Sequence, residues 1–325
     1  MKNRVSRWMG IAAVAAAGAG LGLPAQAQAP KKITTGEVAP IALFWPGFIA
    51  QKQGFYAKEG LQVDSLFVGT VGGIAQQVIG GSLDFGFTTA ETALRAIDKG
   101  ADIAIIGETV IKWPYSIMVT KDINTAADLK GKKVMLPTPK QGFTMLWYRW
   151  LKEQGVDPKS MDEVFDGATP NRYASLINGA VSATTVSQPH DFMALQAGYK
   201  QLVDFAVVKN QDFSFVVIVA NRKLLREQPE TARAFLRAVG NAINWWYDPA
   251  NKQAAITILQ ETSKAERAVT TQTYEYYFDK VKLPYSKGAR IVMQGEQNLI
   301  DLLVDDGSIK DRNPARYIDA SFLPK

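Results

Sequence analysis

An α/β fold of two mostly parallel sheets flanked by helices, with a helical C-terminal tail, is predicted by three features of this 325-residue chain. Short β-rich runs alternate with helix-period segments from Lys32 to about Val208. The alternation ends with the apolar run over residues 213–220, and the remainder of the chain is almost wholly helical. Alternation at this spacing means crossover units and hence parallel strands. A helical return after it fits one sheet domain, a second inserted into it, and a tail that packs on the first.

At the N-terminus, Met1-Lys2-Asn3-Arg4-Val5-Ser6-Arg7 carries three cations and no acid, and leads into an Ala/Gly/Leu stretch over residues 9–23 and then Ala25-Gln26-Ala27. That order is a secretory signal, too short and too rich in small residues to span a bilayer, which needs roughly 20 strongly apolar residues. Cleavage is expected after Ala27, because a cut after Ala29 would leave Pro30 beside it, so the mature chain should begin near Gln28. Strands are expected at residues 33–38, 61–68, 83–87, 103–106, 133–136, 181–186 and 202–207, and helices at 44–52, 71–79, 91–99, 143–154, 171–177 and 191–197. In the tail, Pro229 marks a helix start and Asp248-Pro249 a break. Crossings between the two sheet domains are expected near residues 115–121 and 211–217. After the signal at 1–27, this divides the chain into one lobe of residues 28–117 and 216–325 and another of 118–215.

Composition narrows the function. There is no cysteine, so neither a disulfide nor a lipid-bearing cysteine is available. Export without such an anchor points to a protein held in the periplasm. Three of the formal +6 charges belong to Lys2, Arg4 and Arg7, and the small surplus left on the mature chain gives no case for nucleic acid. His190 is the only histidine. One histidine cannot build a metal cluster, and His190 is not expected to be catalytic. Gly69-Thr70-Val71-Gly72-Gly73 follows a strand and opens a helix, but it lacks the Lys-Ser/Thr ending of a phosphate loop and the third glycine of a dinucleotide fingerprint. No cofactor and no enzymatic activity are expected.

The chain does carry several strand-to-helix turns with exposed backbone N–H groups. Gly69-Thr70 precedes one helix, Thr88-Thr89-Ala90-Glu91 has the form of a capping box, Thr138-Pro139-Lys140-Gln141-Gly142 precedes another helix, and Thr169-Pro170 opens a further one. Helix N-termini bind anionic or acceptor-rich groups, and in parallel sheets these turns gather at the carboxyl edge. Phe44, Trp45, Phe143, Phe213 and Phe215 lie beside the turns or the second crossing and would supply apolar walls. Trp45, in Leu43-Phe44-Trp45-Pro46-Gly47, is the expected anchor among them.

Ala50-Gln51-Lys52-Gln53-Gly54-Phe55-Tyr56-Ala57-Lys58-Glu59-Gly60-Leu61-Gln62-Val63 resembles the first-helix segment of substrate-binding proteins for nitrate-, sulfonate-, taurine- and pyrimidine-type importers, the NMT1/THI5-like family. Gly80-Gly81-Ser82-Leu83-Asp84-Phe85-Gly86-Phe87, Asp128-Leu129-Lys130-Gly131-Lys132-Lys133-Val134, Gly155-Val156-Asp157-Pro158, Ser187-Gln188-Pro189 and Asn313-Pro314-Ala315-Arg316-Tyr317-Ile318-Asp319-Ala320 extend the resemblance along nearly the whole mature chain. Ser182 stands where the family often has Asp. The pyrimidine-synthesising enzymes of the same fold use cysteines that this chain lacks.

The resemblance implies a type II periplasmic-binding-protein fold. It also implies a monomeric receptor that delivers a small molecule to the membrane permease of an ABC importer. The cap-rich turns and aromatics suit a small organic acid, sulfonate or aromatic carboxylate and equally a neutral heteroaromatic amide, with a pyrimidine-type ligand receptor or a ligand-presenting sensor subunit as alternatives. The positions implied to line its cleft are Phe44, Trp45, Gly69, Thr70, Thr88, Thr89, Gln141, Gly142, Phe143, Thr169, Ser187, Gln188 and His190, with Lys140 and Arg172 neutralising an anion.

Overall fold

The computed structural model describes residues 29–139, 141–208, 213–282 and 285–324. The expected export signal and Lys140 lie outside them, as does part of the expected second crossing.

The first lobe opens with β1 (Lys31–Glu37), α1 (Trp45–Lys52), α2 (Phe55–Lys58), β2 (Leu61–Phe67), α3 (Val71–Gly80), β3 (Phe85–Thr89), α4 (Ala90–Asp98) and β4 (Ile103–Val110). The second lobe holds β5 (Tyr115–Val119), β6 (Lys133–Leu136), α5 (Gly142–Glu153), β7 (Asp162–Phe165), α6 (Thr169–Ile177), β8 (Ala183–Ser187), α7 (His190–Gln196) and β9 (Lys200–Asp204). The chain then returns through β10 (Val216–Asn221) to α8 (Arg222–Glu227), α9 (Pro229–Trp246), α10 (Lys252–Ser263), α11 (Arg267–Glu275) and α12 (Met293–Asp305).

Two five-stranded sheets result, ordered β2-β1-β3-β10-β4 and β7-β6-β8-β5-β9. In each, four strands run one way and the strand arriving from the other lobe, β10 or β5, runs antiparallel to its neighbours. Burial explains the residue patterns. β4 is buried at every position, as its run Ile103-Ala104-Ile105-Ile106 requires of a strand covered on both faces. β2, at an edge, exposes most of its length.

The passage between sheets occupies residues 111–114. Tyr115, Ser116 and Ile117, expected in the first lobe, pair with β8 in the second sheet. Three strands are not read as such in the sequence. β5 and β10 begin within the expected crossings, and β7 is an acidic, half-exposed edge strand, Asp162-Glu163-Val164-Phe165, without an apolar run.

The tail packs on the first lobe, where Phe235 of α9 stacks on Phe85 at 4.2 Å between ring centroids. It also reaches the second lobe, contrary to the expectation that it packs on the first alone. The π-helical turn Tyr276–Lys280 presents Tyr276, whose hydroxyl donates to Asp204 Oδ1 at 2.8 Å. Tyr277 donates to Gln188 Oε1 at 3.0 Å, and Lys280 pairs with Asp204 at 2.8 Å. Among the described residues no helix is long and apolar enough to cross a membrane.

Candidate functional site

The carboxyl ends of the parallel strands of both sheets converge on one narrow cavity of about 20 Å³. From the first lobe come Val38 past β1, Ile41, Leu43 and Phe44 before α1, Val71 at the start of α3, Phe87, Thr88 and Thr89 at the end of β3, and Phe215 and Val216 at the start of β10. The second lobe gives Tyr115 at the start of β5, Thr138 and Gln141 before α5, Gly167 before α6 and Thr169 at its first position. Antiparallel β5 and β10 contribute their amino ends because those ends meet the carboxyl edge of their neighbours. The position is the one expected for ligands of open α/β sheets.

The turns are capped in different ways. Thr70 caps α3, its Oγ1 accepting the Gly73 N–H at 3.0 Å. The expected capping box at Thr88–Glu91 does not form: the Thr89 and Thr92 hydroxyls bond each other at 2.8 Å. Glu91 instead reaches the other lobe, where its Oε1 accepts the Gly142 N–H at the start of α5 at 3.2 Å. Burial raises the pKa of Glu91, and its Oε2 has no hydrogen-bond partner. Gln141 lines the cavity at 6% exposure, and its side chain has no hydrogen-bond partner among the described residues.

Arg172 supplies the site's charge. Its side chain is fully buried. Nε donates to Thr185 O at 2.7 Å, Nη1 to Asp166 O at 2.7 Å and to Gly167 O at 2.8 Å, and Nη2 to Thr169 Oγ1 at 2.9 Å. Every one of these acceptors is neutral; the Asp166 carboxylate acts on the guanidinium through space, but no carboxylate among the described residues forms an ion pair with it. A buried cation is normally paired, so this one leaves a positive field directly behind the cavity walls Gly167 and Thr169. Burial lowers the pKa of Arg172, yet a guanidinium stays protonated.

The field reaches the neighbours. Burial raises the pKa of Tyr115 and the Arg172 charge offsets part of the rise, so the hydroxyl stays protonated and can donate. Burial, and then Arg172, push His190 down to about 4, so its ring is neutral.

Six expected positions meet at the cavity: Phe44, Thr88, Thr89, Gln141, Thr169 and Phe215. Others stand just behind it or at the seam. Arg172 and Ser187 back Thr169, the Ser187 hydroxyl lying 3.4 Å from Thr169 Oγ1. Gly69 and Thr70 pack across the seam on Gly167, where an added Cβ would stand 2.9 Å from Thr70 Cγ2 and 3.2 Å from Gly69 O. Gly142 also lies in a seam contact, since a Cβ there would come within 2.4 Å of the Trp113 ring.

The remaining expected residues do not line the cavity. Trp45 is fully buried in the first lobe, its Nε1 donating to Ala255 O at 3.0 Å. Phe143 sits in the core of the second lobe between Tyr115 and Phe205. Gln188 is a structural tie: its backbone carbonyl accepts the Ala42 N–H at 3.1 Å and its side-chain amide donates to Asp191 at 2.7 Å. His190 packs edge-on to Tyr173 at 5.3 Å. Val38, Ile41, Leu43, Val71, Phe87, Tyr115, Thr138, Gly167 and Val216 complete the wall beyond the expected cleft positions. The signal that could have found Tyr115 is its place as the first residue after the crossing.

Because Gly167 of one lobe packs on Gly69 and Thr70 of the other, Gly167→Val should wedge the seam. Overpacking costs about 1–3 kcal/mol, and where ligand binding requires this seam to close it becomes roughly a 5- to 150-fold loss of ligand affinity with an unchanged far-UV spectrum. Calorimetry on the folded variant reads this directly.

A family model described as NMT1/THI5 like matches residues 43–252. The nitrate-binding protein NrtA from Synechocystis PCC 6803 superposes with a TM-score of 0.76 at 18% identity, over 90% of this chain and 87% of that one. The alkanesulfonate-binding protein SsuA from Xanthomonas axonopodis pv. citri bound to MOPS gives 0.69 at 16% identity, over 87% and 95%. The desulfurization enzyme DSZB gives 0.67 at 13% identity, over 90% and 97%. Receptors and an enzyme thus share this fold, and the site must decide between them.

Proposed function

The chain belongs to the NMT1/THI5-like family, and on that premise we propose that it is a periplasmic solute receptor that holds a small organic anion between its lobes and presents it to the permease of an ABC importer. The observation that carries this reading is Arg172: a buried guanidinium with no carboxylate in ion-pair contact, whose hydrogen-bond acceptors Gly167 and Thr169 are cavity walls. A ligand carboxylate or sulfonate would supply the missing counter-charge, received by the Thr169 and Tyr115 hydroxyls. Phe44, Phe87 and Phe215 would take an apolar or aromatic body. The nitrate and MOPS named for the two structural neighbours are anions, in keeping with this.

An enzymatic reading finds little to work with. The chain has no cysteine for nucleophilic catalysis, and its one histidine is a neutral ring outside the cavity wall. One observation favours a second ligand class. The unpartnered amide of Gln141 can both donate and accept, as a pyrimidine or other neutral heteroaromatic amide requires.

The deciding experiment is calorimetry of the mature protein against alkanesulfonates, aromatic carboxylates and pyrimidines. An anion is expected to bind and, at a hundredfold excess over its Kd, to stabilise the fold by about 2.7 kcal/mol. Binding of pyrimidines alone would replace the first ligand class by the second. Turnover of any of them would remove the receptor reading.

A further inference from the structure

We infer that the hinge side of the first lobe carries a proton-sensitive joint, in which Glu108 and Glu296 share a proton through Ser214 and release the second crossing when that proton is lost. Glu108 lies on β4, two residues before the chain leaves the first sheet. Ser214 lies on the return crossing, and Glu296 in the first turn of α12. All three are buried.

The Ser214 hydroxyl stands 2.6 Å from Glu108 Oε1 and 2.8 Å from Glu296 Oε1. A serine has one proton to give. Two oxygen–oxygen contacts this short need two protons, so the second must sit on a carboxyl that donates to Ser214 Oγ. With both acids ionised, one contact becomes an unbridged meeting of oxygen lone pairs in a site without water's dielectric. Glu108 Oε2 is fixed by the Val292 N–H at 2.7 Å, so that acid cannot swing away without uncapping the approach to α12.

The joint is wired to the ligand cavity through the next residue. The Phe215 ring lines the cavity and stacks on Trp113 at 4.5 Å. Its N–H donates to Val110 O at 3.2 Å, and its carbonyl accepts the Ala90 N–H at 2.8 Å. The charged groups acting on the pair are its own members and Glu91 of α4, which raises Glu296 further; Arg95 acts in turn on Glu91. Burial first, and then the charge of Glu296, push Glu108 up to about 8, and burial pushes Glu296 up to about 7.

A carboxyl whose pKa is higher folded than unfolded stabilises the fold most below its unfolded value, and that contribution is lost as pH rises through the folded one. The joint therefore holds best in acid, weakens progressively as pH rises above the ordinary carboxyl value of 4.5, and has lost this contribution by about pH 8. A periplasm follows the pH of its surroundings, so the receptor would loosen its grip in alkaline medium.

The test uses the ligand-free mature protein, so its outcome does not depend on what the cavity binds. Glu108→Gln and Glu296→Gln each replace the shared proton by a fixed amide donor facing Ser214. Wild type should lose melting temperature progressively from about pH 5 to about pH 8, and each variant should lose less. Glu37 and Asp191, also raised by burial to about 8 and about 7, contribute equally to all three proteins and cancel in the comparison. Amide exchange at residues 214–216, corrected for its intrinsic pH dependence, should speed up at the alkaline end in wild type but not in the variants. Coincident melting slopes in all three proteins, or equal exchange at the crossing, would overturn the proposal. If one variant does not fold, the other and the wild-type exchange decide.

Discussion

Arg172→Met is expected to abolish anion binding and to lower the melting temperature by on the order of 10 °C. The substitution removes four hydrogen bonds at once and leaves the carbonyls of Asp166, Gly167 and Thr185 and the Thr169 hydroxyl without their donor. A buried acceptor stripped of its partner costs about 1–3 kcal/mol. Partial relaxation and entry of water at the cavity side bring the expected total to about 3–5 kcal/mol, and a chain this size shifts by about 2 °C per kcal/mol. Arg172→Lys separates charge from shape. Its ammonium keeps the positive field but cannot span acceptors on β8, the turn before α6 and the first residue of α6 together. It should therefore retain weak anion binding while losing much of the stability. Scanning fluorimetry and calorimetry of both variants check this, and an Arg172→Met protein that binds the anion with unchanged affinity would remove the charge from the mechanism.

How Arg172 comes to matter illustrates what the sequence does and does not disclose. The strand–turn–helix order, read from hydrophobic period and turn chemistry, is local, and it locates the carboxyl edge and six wall residues. Whether Arg172 is a surface cation or a buried one is decided by β8 and the turn after β7, which supply its acceptors, and β7 itself has no apolar signature. The Thr-x-x-Glu pattern at Thr88–Glu91 is equally local, but Glu91 finds a better-placed donor at Gly142 across the seam. The same holds for Glu108 and Glu296. Nothing near either residue marks it as half of a buried pair, because the partner arrives from the far end of the chain.

Phe44 and Trp45 are neighbours, and opposite results are expected from truncating them. Adjacent residues on a helical turn point about 100° apart, so only one can face the cavity. The three-residue turn Ala42–Phe44 and the start of α1 give that place to Phe44. Trp45 is directed into the tail instead, 4.8 Å from Trp246 and 6.2 Å from Tyr274 between ring centroids, with its indole N–H on the Ala255 carbonyl. Trp45→Ala opens a cavity between α1, α9, α10 and α11 and should cost about 3–5 kcal/mol of stability. By the same conversion the melting temperature falls by about 6–10 °C. Ligand affinity should change little at temperatures where the variant is folded, because no atom of the cavity wall is removed. Phe44→Ala should do the reverse, weakening binding by about tenfold or more while costing less stability than Trp45→Ala. Its ring sits edge-on to Phe87 in the wall rather than deep in the aromatic core. If Trp45→Ala lost affinity and kept its melting temperature, the indole would have to leave its place against Trp246 and enter the cleft, and the tail would then be part of the ligand site.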